Sequence, residues 1–159
     1  MSDASSWRET LVGEAETVAF GERLGDELFA RGGDDLVFLH GELGAGKTTL
    51  VRGVLRSMGH SGAVKSPTYT LLEPYTYGDQ TAYHFDLYRI SDPDELGLVG
   101  FDEIIDGAGL KLVEWPERAD DWLPSPSVDI HLSVQRTDGV DSRQVVVEFS
   151  GNSRNKIGS

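Results

Sequence analysis

The pattern of apolar and polar positions in the first part of the chain predicts a helix, a strand and a second helix. Residues 14–30 carry apolar side chains among charged ones at a spacing that suits an entry helix. Residues 35–40 form a short, largely apolar run rich in strand-forming residues, which is typical of a buried strand. Residues 48–58 again place apolar side chains at helical spacing, and Gly59 follows as a stop signal.

The next part of the chain has the pattern of a β-hairpin. Residues 69–77 and 80–88 are rich in Tyr, Thr, Phe and Leu, and the Gly-Asp pair between them suits a hairpin turn. Asp92 then has the features of a helix N-cap, because a proline follows it at the first helical position and Glu95 lies three residues on. We therefore predict a hairpin and then a short helix, which nearby glycines end.

Two further stretches predict the strands that complete the sheet. Residues 110–115 form a mostly apolar run that ends at Pro116, which could open a brief helix. Residues 128–134 and 144–149 alternate between apolar and polar side chains, with an Asp-Gly pair in their connection, and predict a closing hairpin. The whole pattern predicts one α/β domain over residues 1–150, with a large antiparallel share of the sheet.

Length and composition agree with a single domain and exclude several classes of protein. The chain has 159 residues, enough to bury a core, and its lack of cysteine excludes disulfides and thiolate metal sites. No apolar run approaches the roughly 20 residues that cross a membrane, and the N-terminus has no secretory signal. We expect a cytoplasmic protein that does not contact a membrane, with a flexible tail at residues 151–159.

The charge balance bears on the partners. The chain has 14 basic and 27 acidic residues and a net charge of −13, which opposes direct binding to nucleic acid because such binding needs a basic surface. A strongly acidic surface favours solubility and could suit a basic protein partner. A salt-adapted or simply acidic surface is the alternative, and the composition does not decide between the two.

Residues 41–48, with the sequence Gly-Glu-Leu-Gly-Ala-Gly-Lys-Thr, match the pattern of a phosphate-binding loop. Its glycines allow backbone N–H groups to converge on phosphate oxygens. Lys47 can reach the β- and γ-phosphates, and the Thr48 hydroxyl can ligate Mg²⁺. Because the loop joins a predicted strand to a predicted helix, the positive end of the helix dipole adds to the anion site. The chain is therefore predicted to bind a nucleoside triphosphate.

Hydrolysis or phosphoryl transfer also needs an acidic residue beside the metal. Asp86 and Glu114 qualify because they lie near the carboxyl ends of predicted strands, where ligands of open α/β sheets collect. For each, the alternative is a solvated carboxylate. Trp115 could pack in the core or against a nucleotide base. His40 and His84 have no second ligand nearby in sequence, so packing is favoured over metal binding.

The segment 65–70 is a further candidate, because its hydroxyl groups at Ser66, Thr68 and Thr70 could sense a γ-phosphate as switch loops do. Its local pattern by itself favours an ordinary Ser-Pro turn. The guanine-reading motif Asn-Lys-x-Asp is missing, since residues 155–158 fail at its fourth position. This favours ATP over GTP, and the chain is also short for a nucleotide kinase with a separate lid.

Four blocks together resemble the TsaE family, also called YjeE, which comprises small bacterial P-loop ATPases of tRNA threonylcarbamoyladenosine synthesis. The blocks are GELGAGKTT at 41–49, KSPTYTL at 65–71, HFDLYR at 84–89 and VEWP at 113–116. The first is generic and the other three are specific. The resemblance covers about residues 10–150, although no block after about residue 124 can be matched. It implies a P-loop NTPase-like three-layer α/β fold with a mixed sheet that has a sizeable antiparallel part.

The resemblance also implies a site for ATP and Mg²⁺. Lys47 and Glu114 would be catalytic, Mg²⁺ would be held by Thr48, Asp86 and Glu114, and Trp115 would lie near the nucleotide. The segment containing Ser66, Thr68 and Thr70 would be the switch-like loop. The residues of the phosphate loop that would contact ATP are Glu42, Leu43, Gly44, Ala45, Gly46, Lys47, Thr48 and Thr49.

The resemblance implies partners as well. Proteins of this family associate with TsaD and TsaB subunits, which transfer the threonylcarbamoyl group to the adenosine next to the anticodon. ATP hydrolysis supports repeated turnover of that complex and is weak without it, and tRNA is reached only through the complex. Two alternatives stay open: a small-molecule kinase, and a non-hydrolysing module that docks partners in a nucleotide-dependent way.

Overall fold

The structure is a computed structural model that describes residues 5–64 and 71–150. The predicted tail at 151–159 and the switch-loop residues Ser66, Thr68 and Thr70 lie outside these ranges. The elements are, in chain order, β1 (Ser5–Leu11), α1 (Gly13–Ala30), β2 (Leu36–His40), α2 (Lys47–Ser57), β3 (Leu72–Tyr77), β4 (Gln80–Asp86), α3 (Glu95–Leu98), α4 (Phe101–Asp106), β5 (Leu110–Glu114), a 3₁₀ helix (Pro116–Trp122), β6 (Val128–Thr137) and β7 (Val140–Phe149).

The strands of the described ranges form one seven-stranded sheet in the order β1-β7-β6-β2-β5-β4-β3. The central strands β6, β2, β5 and β4 run parallel to one another. The pairs β1–β7, β6–β7 and β3–β4 are antiparallel and form the two flanks. The parallel centre brings the carboxyl ends of β2, β4 and β5 to one edge, which is where such sheets bind ligands.

The sheet is covered on both faces, as the alternation along β2 shows. Val37 and Leu39 belong to the core that contains the apolar residues of α1 and α2. Leu36 and Phe38, which point the other way, belong to the second core with residues of α3 and α4. Helices on both faces of a mixed sheet give three layers. The predicted α/β fold with a sizeable antiparallel part is therefore confirmed.

Several strand boundaries differ from the sequence-based expectation for local reasons. β5 ends at Glu114, one residue early, because Trp115 has a left-handed backbone with φ of 61°. β4 ends at Asp86 rather than at residue 88, because the Asp86 carboxylate accepts a hydrogen bond from the Tyr88 N–H and starts a turn. β6 and β7 are longer than predicted, because their antiparallel pairing continues to the two-residue turn at Asp138-Gly139.

The helical region after β4 also differs. Asp92 makes the predicted capping contacts: its carboxylate accepts a hydrogen bond from Asp94 N–H, and the Glu95 carboxylate accepts one from Asp92 N–H. The helix itself begins only at Glu95, and α4 follows it unpredicted after the left-handed Gly100. No helix in the described ranges is long and apolar enough to cross a membrane.

β1 was not predicted, because most of its side chains are polar. The strand forms by pairing along its length with β7, which is far away in sequence. Trp7 fixes it from one face, where its ring contacts Phe20 of α1 and Phe149 of β7 at centroid distances of 6.0 and 5.7 Å. Such an edge strand depends on tertiary packing rather than on its own pattern.

The helices α1 and α2 approach closely through glycines. A Cβ atom built on Gly53 would lie 2.3 Å from the carbonyl oxygen of Val18 and 2.8 Å from the Cα atom of Gly21. A Cβ on Gly21 would lie 2.4 Å from the carbonyl oxygen of Leu50. Both contacts are with backbone, which cannot move aside without separating the helices. The position of α2 against α1 is therefore fixed. The position of the loop that precedes α2 is fixed along with it.

We expect Gly53→Ala to lower the free energy of unfolding by about 1–3 kcal/mol, the usual range for overpacking. Gly97→Ala is the matched control, because nothing lies within 4 Å of a Cβ at Gly97 in helix α3. The control should leave stability unchanged or raise it slightly. Denaturant unfolding measures both, and equal stability of Gly53→Ala and the parent protein would contradict the close helix contact.

Candidate functional site

The candidate phosphate-binding loop, residues 41–48, connects β2 to α2, in the order strand, loop, helix that the sequence predicts. Gly44 and Gly46 have left-handed backbones with φ of 83° and 105°, which side chains disfavour, so the loop needs glycine at both positions. Gly46 is the N-cap of α2, and no side chain of the described residues caps the helix there. The first N–H groups of α2 thus point into the loop with the positive end of the helix dipole, as in an anion site.

Lys47 is the buried cation of this site. Its side chain is only 5% exposed, its ammonium donates a hydrogen bond to the Gly41 carbonyl, and its Nζ lies 3.7 Å from the ring centroid of Trp115. Burial lowers the pKa of Lys47, while the nearby carboxylates of Glu114 and Asp86 oppose that shift. A desolvated ammonium at the mouth of the loop is well suited to an anionic ligand.

Glu114 is the buried acid opposite the loop. It ends β5, is 2% exposed, and its Oε2 accepts a hydrogen bond from the Thr48 hydroxyl at 2.9 Å. The same oxygen lies 2.7 Å from Nε2 of His84, which is fully buried in β4. Asp86 pairs in register with Glu114 across β4 and β5. The structure thus brings together three predicted metal ligands, Thr48, Asp86 and Glu114.

Trp115 covers the site from the other side. Its left-handed backbone follows Glu114 directly, and its ring contacts the Lys47 ammonium and the ring of Tyr88, with a centroid distance of 4.9 Å to the latter. The sequence left open whether Trp115 packs in the core or lies beside the nucleotide site. Its indole is partly buried against the second core and also contacts Lys47 of the loop. A bulky residue with positive φ is a strained one, and such strain is concentrated at functional sites.

The predicted switch loop cannot be placed, since residues 65–70 lie outside the described ranges. The chain resumes beside the site: the Leu71 carbonyl accepts a hydrogen bond from Asp86 N–H at 3.1 Å. Leu71, the first described residue after the predicted loop, is thus hydrogen-bonded to the backbone of a candidate metal ligand.

Two contacts of the site were missed in the sequence. His84 was expected only to pack, yet it contacts the Glu114 carboxylate. Arg143 of β7 was not singled out, yet its Nε and Nη2 donate hydrogen bonds to the carbonyls of Ala45 and Gly44 at 3.2 and 3.1 Å. No local pattern predicts either contact, because both depend on how segments far apart in the chain come together.

The arrangement therefore combines anion-binding N–H groups, a buried cation and oxygen donors. A hydroxyl and two carboxylates are hard donors of the kind that Mg²⁺ prefers. Of the other loop residues predicted to contact ATP, Glu42, Leu43 and Gly44 are exposed. Thr49 lies in the first turn of α2. The site could hold a polyphosphate together with a divalent cation.

Comparisons with known proteins agree with this geometry. Residues 11–145 match the family described as "Threonylcarbamoyl adenosine biosynthesis protein TsaE". A Bacillus subtilis protein named tRNA threonylcarbamoyladenosine biosynthesis protein TsaE is 39% identical over 124 residues, which are 78% of this chain and 75% of that protein. A crystal structure of Bacillus subtilis YdiB superposes with a TM-score of 0.68 at 28% identity, covering 97% of this chain and 91% of that one.

The Haemophilus influenzae protein of the same TsaE name is 46% identical over 97 residues, or 61% of this chain and 61% of that protein. A Rickettsia felis protein of the same name is 39% identical over 102 residues, which are 64% of this chain and 59% of that protein. The chain therefore spans less than two thirds of these two relatives.

We expect Arg143→Met to raise the dissociation constant of Mg–ATP about tenfold. Its guanidinium donates hydrogen bonds to two carbonyls of the loop and so supports the loop backbone; losing such bonds costs about 1–2 kcal/mol. A fluorescent ATP analogue measures the affinity. Arg136→Met is the control, because Arg136 is exposed and pairs only with Asp141 among the described residues. If both variants bind alike, Arg143 does not support the loop.

Proposed function

This chain belongs to the TsaE family, and on that premise we propose that it is a Mg²⁺-dependent ATPase of tRNA threonylcarbamoyladenosine biosynthesis. It would support TsaD- and TsaB-type subunits, which carry out the transfer, and would reach tRNA only through them. The observation that carries the proposal is that Thr48, at the start of α2, contacts Glu114, which pairs in register with Asp86.

ATP binding follows from the loop and its cation. The N–H groups of the loop and of the first turn of α2 would accept the phosphates, and Lys47 would leave the Gly41 carbonyl to reach the β- and γ-oxygens. The ammonium is already desolvated, so little water has to be removed from it when the phosphates arrive. Binding would therefore depend strongly on this one side chain.

Thr48, Asp86 and Glu114 are the residues that would hold Mg²⁺, and their oxygen donors fit that ion. Bound Mg²⁺ would neutralise charge on the phosphate oxygens. In the present arrangement the Thr48 hydroxyl donates to Glu114, which places these two oxygen atoms 2.9 Å apart. Two adjacent strand ends fix the carboxylates before any ligand binds.

Glu114 is the residue best placed to orient or deprotonate the attacking water. Both of its hydrogen bonds, from Thr48 and with His84, involve Oε2. Among the described contacts, Oε1 accepts none and keeps its lone pairs for a water molecule. Since His84 is fully buried, it holds the carboxylate in one orientation. The chemistry would be positioning and electrostatic stabilisation rather than covalent catalysis.

The acidic surface fits this role. A net charge of −13 disfavours direct contact with tRNA and suits a protein partner with a basic surface. A subunit of the complex would then bind the RNA, while this chain supplies the nucleotide-driven step. A cytoplasmic location, where tRNA is modified, belongs to the same proposal.

We expect Lys47→Ala to weaken Mg–ATP binding at least a hundredfold, because the buried ammonium is the main positive charge facing the phosphates. Titration calorimetry measures the affinity. Arg56→Ala is the control, since it removes the same charge from an exposed position in the same helix. An unchanged affinity in Lys47→Ala would exclude the loop as the ATP site.

The proposed function is tested by ATP hydrolysis with and without a purified TsaD–TsaB pair. We expect slow turnover alone and a clear increase with the pair. Glu114→Ala should lower turnover about a hundredfold or more while changing nucleotide affinity much less, because its carboxylate would act on the water. Glu103→Gln, an exposed acid of α4, is the control.

The alternatives give different results in the same assay. Nucleotide binding without any turnover, even with the TsaD–TsaB pair, would favour a non-hydrolysing docking module. Transfer of phosphate to a small-molecule acceptor would indicate a kinase. Full turnover in Glu114→Ala would remove that residue from the mechanism and leave the ATPase assignment in place.

A further inference from the structure

Three adjacent strands carry a second group of ligand-type side chains, on the sheet face opposite α1 and α2. His40, the last residue of β2, pairs in register with His131 of β6. Asp129 lies two residues before His131 and therefore points to the same face. Glu148 of β7 pairs in register with Asp129. Strand register alone thus places two imidazoles and two carboxylates side by side.

The distances between these groups are short. The ligand atoms of His40, Asp129 and His131 all lie within 4.8 Å of one another. Nε2 of His40 lies 2.7 Å from Oδ1 of Asp129, and Nε2 of His131 lies 3.5 Å from Oε1 of Glu148. The side chains of His40 and His131 are 31% and 49% exposed, so an ion can reach them from solvent.

We propose that His40, Asp129 and His131 form a binding site for a divalent transition-metal ion of the Zn²⁺ class, with Glu148 beside it. Imidazole nitrogens combined with a carboxylate are typical Zn²⁺ ligands. Three protein ligands and solvent complete a tetrahedral shell. The proposal goes beyond the ATPase function and does not depend on it, because none of these side chains belongs to the Mg²⁺ donor set.

Binding requires a small rearrangement that the structure allows. The rings of His40 and His131 are stacked, with centroids 4.6 Å apart and an angle of 12° between their planes. Their lone pairs therefore run side by side instead of converging. In a tetrahedral site with metal–nitrogen distances near 2.0–2.1 Å, the nitrogens are about 3.4 Å apart. His131 is the more exposed ring and can turn to reach this geometry, while the strands stay in place.

The carboxylates contribute to affinity in two ways. Asp129 offers an oxygen ligand, and its 2.7 Å contact with Nε2 of His40 already places the two groups side by side. The proton shared in that contact is released to solvent when both groups bind the ion. Glu148 can accept a hydrogen bond from the outer nitrogen of a metal-bound His131, as acidic residues around metal sites commonly do. The excess negative charge of the chain further attracts cations.

The test is titration of the tag-free full-length protein with Zn²⁺ and with Co²⁺, without nucleotide and in excess Mg²⁺ to occupy sites made only of oxygen donors. We expect one ion per chain, and visible absorption bands of tetrahedral Co²⁺. His131→Gln and His40→Gln should each lower Zn²⁺ affinity at least tenfold. His60→Gln is the matched control, because His60 contacts Tyr77 and Ala63 elsewhere.

Circular dichroism shows that each variant is folded, and His131 is exposed enough for its replacement to be tolerated. Binding in His60→Gln equal to that of the parent protein, together with weakened binding in both cluster variants, would support the site. Absence of Zn²⁺ binding in excess Mg²⁺, or a Zn²⁺ affinity in either cluster variant equal to that of the parent protein, would overturn it.

Discussion

The buried carboxylate of Glu114 is the group on which the geometry of the site depends. Removing a carboxylate from water is costly unless donors replace the lost hydrogen bonds. Glu114 obtains them from two other elements, the Thr48 hydroxyl of α2 and the His84 ring of β4. These contacts tie the phosphate loop to the strand that carries Asp86. Nδ1 of His84 has no partner among the described residues, so the ring satisfies Glu114 and leaves its own second nitrogen unpaired.

The phosphate loop is held from three directions, which explains its fixed shape. Thr48 connects the start of α2 to β5, Gly53 brings the middle of α2 against α1, and Arg143 reaches from β7 to two carbonyls of the loop. Each contact acts on a different part of the same strand–loop–helix unit. A loop so constrained keeps its N–H groups directed inward without a ligand, which lowers the ordering cost of binding.

The features that could be predicted from the sequence are those that depend on residues close to one another in the chain. The loop, its flanking strand and helix, and the hairpins show their own periodicity and glycine positions, and the structure has all of them. Strand β1, the role of His84 and the contact of Arg143 could not be found in this way. Each depends on pairing between segments far apart in the chain, such as Ser5 with Phe149 or Asp86 with Glu114. The cross-strand pair of His40 and His131 escaped notice for the same reason.

The left-handed backbone of Trp115 connects strand geometry to the electrostatics of the site. A bulky residue in that conformation costs about 1–3 kcal/mol, so the surroundings must impose it. The Glu114 carbonyl accepts a hydrogen bond from the Leu87 N–H, and Pro116 begins the 3₁₀ helix. The chain must therefore change direction within the single residue between them, Trp115. The reversal places the indole over the Lys47 ammonium and excludes water from it. In that low-dielectric setting the ammonium attracts an anion more strongly than an exposed lysine does. The strained backbone of Trp115 therefore strengthens the electrostatic attraction of Lys47 for an anion.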